Sequence, residues 1–239
     1  MHRPRTSCFA AALAVLAAGP ACRRPSVHYE DPDAMIGEFE RSDRDAWQRP
    51  EEVVDALEIP GKDAVLADLG AGSGYFTRRL AARVPDGRVY AVDVEARFVR
   101  YIEDQREIWG LPNIVPHLAH YEDPMLPDGT IDLVFSANTY SYIPNRVTYF
   151  QKVWAALAPG GRLAIIDVRP DATPPTGAAP PRRRRVPERQ VVQEVEAAGF
   201  RLVRTETFLP HQYFLIFERR ARRQPAAPPG EDAARASSP

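Results

Sequence analysis

The 239-residue chain has two cysteines, Cys8 and Cys22, and none after them. That lack excludes an internal disulfide, a thiolate metal site and a cysteine nucleophile from everything beyond residue 22, and no metal site is expected. Lysine is nearly missing too. Only Lys62 and Lys152 occur, so 29 of the 31 basic residues are arginine, a bias we read as genome composition before function. No apolar run reaches the roughly 20 residues needed to span a bilayer. Excess charge of either sign is absent: a formal net charge of −1 gives no general argument for nucleic acid as a partner. What is there, 44% hydrophobic and 26% charged residues, fits one ordinary domain with a real core.

The N-terminus reads as an export signal over residues 1–21. His2, Arg3 and Arg5 form a basic head, Cys8 to Ala18 an apolar run, and Gly19-Pro20-Ala21 precede Cys22. Small residues ending at a cysteine resemble the lipobox of bacterial lipoproteins, which implies a lipidated Cys22 and attachment to a membrane. Gly19 stands where that motif usually has Leu. Cleavage after Ala21 without lipidation and a start codon placed too early are the other readings. The expected location is the cell envelope, lipid-anchored or periplasmic, if the leader is used, and the cytoplasm otherwise.

A linker is expected over residues 22–32, then a domain from 33 to 218 and a disordered tail from 219 to 239. Asp33 to Leu57 carries helical signals, with a fresh start at Pro50-Glu51-Glu52. Strands then alternate with helices. Strands are predicted at Ala64–Leu69, Arg88–Asp93, Asn113–Leu118, Ile131–Ser136, Arg162–Val168, Phe200–Thr207 and Gln212–Glu218. Helices are predicted at Tyr75–Val84, Glu95–Trp109, Arg146–Leu157 and Glu188–Ala198. Pro159-Gly160-Gly161 is read as a turn, and Arg169 to Pro187 as a loop whose run Arg182–Arg185 is either solvated or an anion-binding patch. The alternation predicts an α/β fold with a doubly wound, mostly parallel seven-stranded sheet and an N-terminal helical lid.

Between the first strand and its helix lies Asp68-Leu69-Gly70-Ala71-Gly72-Ser73-Gly74, a glycine turn through which backbone N–H groups are expected to approach a ligand. A dinucleotide fingerprint would need a third glycine where Tyr75 stands, which disfavours an NAD-dependent oxidoreductase; a P-loop would need a Gly-Lys-Ser/Thr ending. The run resembles the signature of class I S-adenosylmethionine-dependent methyltransferases. The likeness extends in order through Asp93, Leu126–Val134 and Leu157–Leu163, covering Ala46 to Glu218.

The resemblance implies S-adenosylmethionine as cofactor and methyl transfer to a small-molecule acceptor. By it, Gly70, Ala71, Gly72 and Gly74 hold the methionine portion, Asp68 orients its amino group and Asp93 takes the ribose. His120 stands where many members carry an adenine-binding Asp, so His120 or Tyr121 is expected to take that contact. Trp47 and Gln48 fall at the family's lid, or form a packing staple. Asn138, Tyr140, Tyr142 and Asp167 are the candidates at the ends of strands four and five, with Tyr140 and Tyr142 read first as wall residues; His211 is a further candidate base. Asn138-Thr139-Tyr140-Ser141 does not match the motif of base methyltransferases, so nucleic-acid methylation is not expected. A fold that has lost catalysis and serves as an envelope ligand-binding lipoprotein is the alternative from another class.

Overall fold

The computed structural model describes residues 31–175 and 179–220. The leader with Cys8 and Cys22, most of the expected linker and most of the expected tail lie outside the described residues.

Among the described residues, three short helices precede the sheet: α1 (Pro32–Phe39), α2 (Arg44–Gln48) and α3 (Pro50–Ala56). The first begins at Pro32, one residue inside the expected linker, because Asp31 caps it by accepting from the Ala34 N–H at 3.0 Å. Arg49 separates α2 from α3 in a left-handed conformation, φ 46°, and its guanidinium is held by Glu52 and the carbonyl of Phe208.

From there β1 (Val65–Leu69), α4 (Thr77–Arg83), β2 (Arg88–Asp93), α5 (Ala96–Ile108), β3 (Ile114–Leu118), β4 (Ile131–Ala137), α6 (Arg146–Ala156), β5 (Leu157–Val168), α7 (Glu188–Ala197), β6 (Phe200–Glu206) and β7 (Gln212–Arg219) follow. The sheet runs β3-β2-β1-β4-β5-β7-β6, with β7 antiparallel to both neighbours and the other pairings among β1 to β5 parallel. Successive side chains point to opposite faces, so β1 divides its apolar residues. Ala67 and Leu69 join Phe150, Val153 and Val195 from α6 and α7 in one core, while Leu66 joins Val53, Leu80 and Ile102 from α3, α4 and α5 in the other. The chain leaves β1 toward β2 and β3, then returns to β4 on the other side. The carboxyl ends of β1 and β4 therefore diverge and open a crevice there.

Most element ends shift by a residue or two from expectation, and two shifts bear on the packing. β5 begins at Leu157, not Arg162: Leu157 pairs with Ile131, and Pro159-Gly160-Gly161 forms a bulge inside the strand, the register slipping between Ile131 and Leu133. Gly161 cannot carry a side chain there, since a Cβ would stand 2.9 Å from the carbonyls of Ala158 and Ile131. β7 runs through Arg219, which pairs with Phe200 and covers the Trp154 ring at 3.9 Å, so the expected tail starts one residue late.

Candidate functional site

The crevice is a cavity of about 1130 Å³ including its open mouth. Asp68, Gly70, Ala71 and Gly72 line it from the end of β1, Asp93 from β2, His120 and Tyr121 from the loop after β3, and Asn138, Thr139 and Tyr142 from the segment after β4. The structure thus brings seven of the eight predicted cofactor residues to one wall; Gly74 stays behind it, packed under Trp109. Tyr140 and Asp167 are not in that wall. Tyr140 stacks on Phe150 and donates to Glu194 Oε2 at 2.6 Å, which makes it a core strut rather than a wall or catalytic residue. Asp167 is fully buried below the cavity. Its carboxylate accepts from the Val168 N–H at 2.7 Å, and burial pushes it up to about 7. Asn138 does line the cavity, but its Oδ1 accepts from Gln212 at 2.8 Å. His211 meets Trp47 edge-on, with ring centroids 6.2 Å apart, and neither they nor Gln48 reach the wall. Trp47 is therefore a packing staple of the lid.

The glycine turn departs from expectation in its polarity. Gly70 and Ala71 donate their N–H groups to the Val92 carbonyl at 2.8 and 3.0 Å, Gly72 donates to Asp93 Oδ2 at 2.9 Å, and Gly74 donates to the Ala71 carbonyl at 2.9 Å. Four of the turn's five N–H groups are consumed within the protein, while the Gly70 carbonyl accepts no N–H among the described residues. The turn is not the anion cradle that N–H groups would make. Glycine is required for a second reason: Gly70 has φ +76°, and a Cβ there would stand 2.1 Å from the Thr139 hydroxyl.

Two buried carboxylates flank this turn. Asp68 accepts from the Thr77 hydroxyl at 2.7 Å, yet burial outweighs that bond and pushes its pKa up to about 7. Asp93 is raised by burial as well, against the stabilising N–H groups of Glu95 and Gly72. Tyr75 fills the third-glycine place as a buried ring under the Arg44 guanidinium, which removes the close helix approach that a dinucleotide site needs.

Sequence reasoning missed the lid's own contribution. Met35, Phe39 and Arg44 line the cavity, and Glu40 ties α1 to the turn by accepting from the Ser73 hydroxyl at 2.6 Å and pairing with Arg78 at 2.8 Å. At the opposite end the arginine run divides in two. Arg182 bonds Thr173 and Arg185 bonds the carbonyls of Pro180 and Ala172, fixing the loop. Arg184 lies 5.3 Å over the Tyr142 ring, and neither it nor Arg183 has an acidic partner among the described residues. Burial raises the Tyr142 phenol, opposed by both arginines.

Residues 66–161 match the family model described as a methyltransferase domain. The chain is 35% identical over 100 residues to a trans-aconitate 2-methyltransferase of Rhodopseudomonas palustris, covering 42% of this chain and 37% of that protein. It is 30% identical over 102 residues to a malonyl-[acyl-carrier protein] O-methyltransferase of Methylococcus capsulatus, covering 43% and 36%. It therefore spans little more than a third of the length of these relatives. Among solved structures, a SAM-dependent methyltransferase from Aquifex aeolicus superposes with a TM-score of 0.72 at 25% identity, over 80% of this chain and 99% of that one.

Proposed function

We propose that this chain, a class I S-adenosylmethionine-dependent methyltransferase in its fold and in its domain at residues 66–161, methylates a small carboxylic acid at a carboxylate oxygen. The residues present fit the cofactor. Asp68 and the Gly70 carbonyl offer negative partners for an ammonium group, and Asp93 offers acceptors for hydroxyls. His120 and Tyr121, which line the cavity after β3, are the expected partners of the adenine ring. When bound, the cofactor supplies a methyl group already activated on a sulfonium, so the protein's work is alignment and exclusion of water.

One observation carries the acceptor class: the cavity wall at Tyr142 offers no ready base, and Arg184 lies 5.3 Å from the Tyr142 ring centroid without itself lining the cavity. Asn138, Thr139, Tyr142 and Ile143 form that wall, and the Tyr142 phenol, raised by burial, stays protonated at neutral pH. An acceptor that arrives already ionised needs no base, and the unneutralised Arg183 and Arg184 favour an anion there. The trans-aconitate and malonyl relatives support the same class. Full-length protein with tritiated-methyl S-adenosylmethionine should label di- and tricarboxylic acids, giving esters that release volatile methanol in alkali. Label on amines or phenols instead refutes the carboxylate assignment.

The leader supports a second element of the reading, export with a lipid on Cys22. S-adenosylmethionine is made in the cytoplasm, so this element and catalysis in the cell pull in opposite directions. Palmitate labelling of wild type against Cys22→Ala separates them: label lost in the variant supports the anchor, and unlabelled wild type removes it.

A further inference from the structure

At the lid end of the cavity lies a buried cation with no carboxylate bonded to it among the described residues. Arg44 is 6% exposed and lines the cavity beside the glycine turn. Its Nη1 donates to the Phe39 carbonyl at 2.7 Å, its Nε donates to Gln48 Oε1 at 2.6 Å, and its Cζ lies 3.7 Å from the Tyr75 ring centroid. All three partners are neutral. No carboxylate pairs with Arg44 among the described residues, because Glu40 is taken by Ser73 and Arg78, and Asp68 is bonded to Thr77. Nη2 has no acceptor among the described residues. Burial lowers the group to about 10, leaving it charged at neutral pH. Glu40 and Asp68 favour the charge only from a distance, and a buried guanidinium whose direct bonds all go to neutral groups is costly, such cations being normally paired.

We propose that Arg44 receives the carboxylate of an α-amino acid group, the amino-acid end of the cofactor, while Asp68 takes the ammonium of the same group. This rests on the cofactor reading above. Two features argue for it together. Arg44 and Asp68 are buried charges of opposite sign on one cavity wall that do not bond each other, an arrangement complementary to a zwitterion. The glycine turn, moreover, has spent four of its five N–H groups internally, so a carboxylate lying beside it needs a donor from elsewhere. A guanidinium held over the Tyr75 ring and by the bonds to Phe39 and Gln48 offers a fork matched to a carboxylate.

Calorimetry with two ligands separates this role from a merely structural one. S-adenosylhomocysteine carries the amino-acid end; 5′-methylthioadenosine keeps the adenosine and sulfur without it. Arg44→Gln should weaken the first by about 10- to 100-fold, the loss of a charge-assisted bond, and shift the second by no more than about twofold. Equal losses for both ligands would make Arg44 a strut for the lid, and unchanged binding of both would leave it without a role; either result overturns the proposal. Wild type alone gives a second arm that does not depend on the variant folding: decarboxylated S-adenosylmethionine should bind at least about tenfold more weakly than S-adenosylmethionine. Equal affinities there overturn the Arg44 assignment but leave the cofactor reading standing. Wild type that binds neither S-adenosylhomocysteine nor methylthioadenosine defeats both.

Discussion

If Asp68 takes the cofactor's ammonium, cofactor affinity should depend on pH in a defined direction. In the unligated fold its pKa stands at about 7, because burial penalises the charged form more than the Thr77 bond favours it. An ammonium placed against it reverses that balance and pulls the pKa down. Binding below pH 7 must then release a proton, and affinity for S-adenosylhomocysteine should fall by about tenfold for each pH unit below that value. The window runs from about pH 5.5 to about 7.5, since above it the ligand's own α-amino group titrates near 7.7–8.0. Across it the affinity should change by roughly 30-fold, and enthalpies measured in buffers of different ionisation heat should report close to one proton released at the acid end. Asp68→Asn should bind weakly but with no slope. Flat affinity in wild type, or affinity that rises toward acid, refutes the ammonium–Asp68 pairing.

Asp167 tests the same burial physics away from the cavity. Its folded pKa, about 7, exceeds the unfolded 3.8, so its contribution to stability is lost as pH rises between those values. Asp167→Asn should therefore stabilise the protein at pH 8 by up to about 4 kcal/mol and have little effect at pH 4, read by urea unfolding; a variant no more stable at pH 8 contradicts the assignment. Tyr140→Phe, which removes the hydroxyl's bond to Glu194 and its interaction with Arg146, should cost about 1–3 kcal/mol of stability and leave S-adenosylhomocysteine affinity unchanged, whereas a collapse in affinity or turnover with unchanged stability would restore Tyr140 as a catalytic residue. Gly72→Ala forces a side chain at φ +56° toward the Phe39 ring, 3.1 Å away, so it should lift the lid and weaken S-adenosylhomocysteine about tenfold or more while circular dichroism stays native; wild-type affinity would count against the lid packing.

The fold was legible because its signals are local and repeated. Short apolar strands, glycine at the first turn and helices of matching length specify a doubly wound sheet without knowledge of distant contacts. The β5 boundary was not, since Pro159-Gly160-Gly161 has the composition of a turn and only its pairing with Ile131 makes it a bulge. In the site, acids at strand ends were readable from position: Asp68 and Asp93 fall where the sheet opens. Polarity was not. Nothing in the run Gly70–Gly74 tells that its N–H groups would be taken by Val92, Asp93 and Ala71, which come from other parts of the fold or from the turn itself. Arg44 was invisible for a different reason: in a chain with 29 arginines, one more carries no signal until its burial and its lack of a bonded carboxylate among the described residues are seen. Tyr140 and Asp167 misled because a place at the end of β4 or β5 brings a residue near the crevice without deciding its direction: the tight turn at Tyr140–Tyr142 and the face Asp167 takes on β5 bury both side chains.

The central claim is that one cavity, walled by Asp68, the glycine turn and Asp93, holds S-adenosylmethionine and delivers its methyl group to a small acid. A single-turnover experiment tests it most directly: excess full-length protein is mixed with tritiated-methyl S-adenosylmethionine and a mixture of di- and tricarboxylic acids, and label is followed in the cofactor and in alkali-labile esters. The account predicts label moving into esters as S-adenosylhomocysteine appears in equal amount, with neither seen for Asp93→Ala. Binding without any transfer would leave a ligand-binding fold that has lost catalysis, and no binding at all would contradict the account outright.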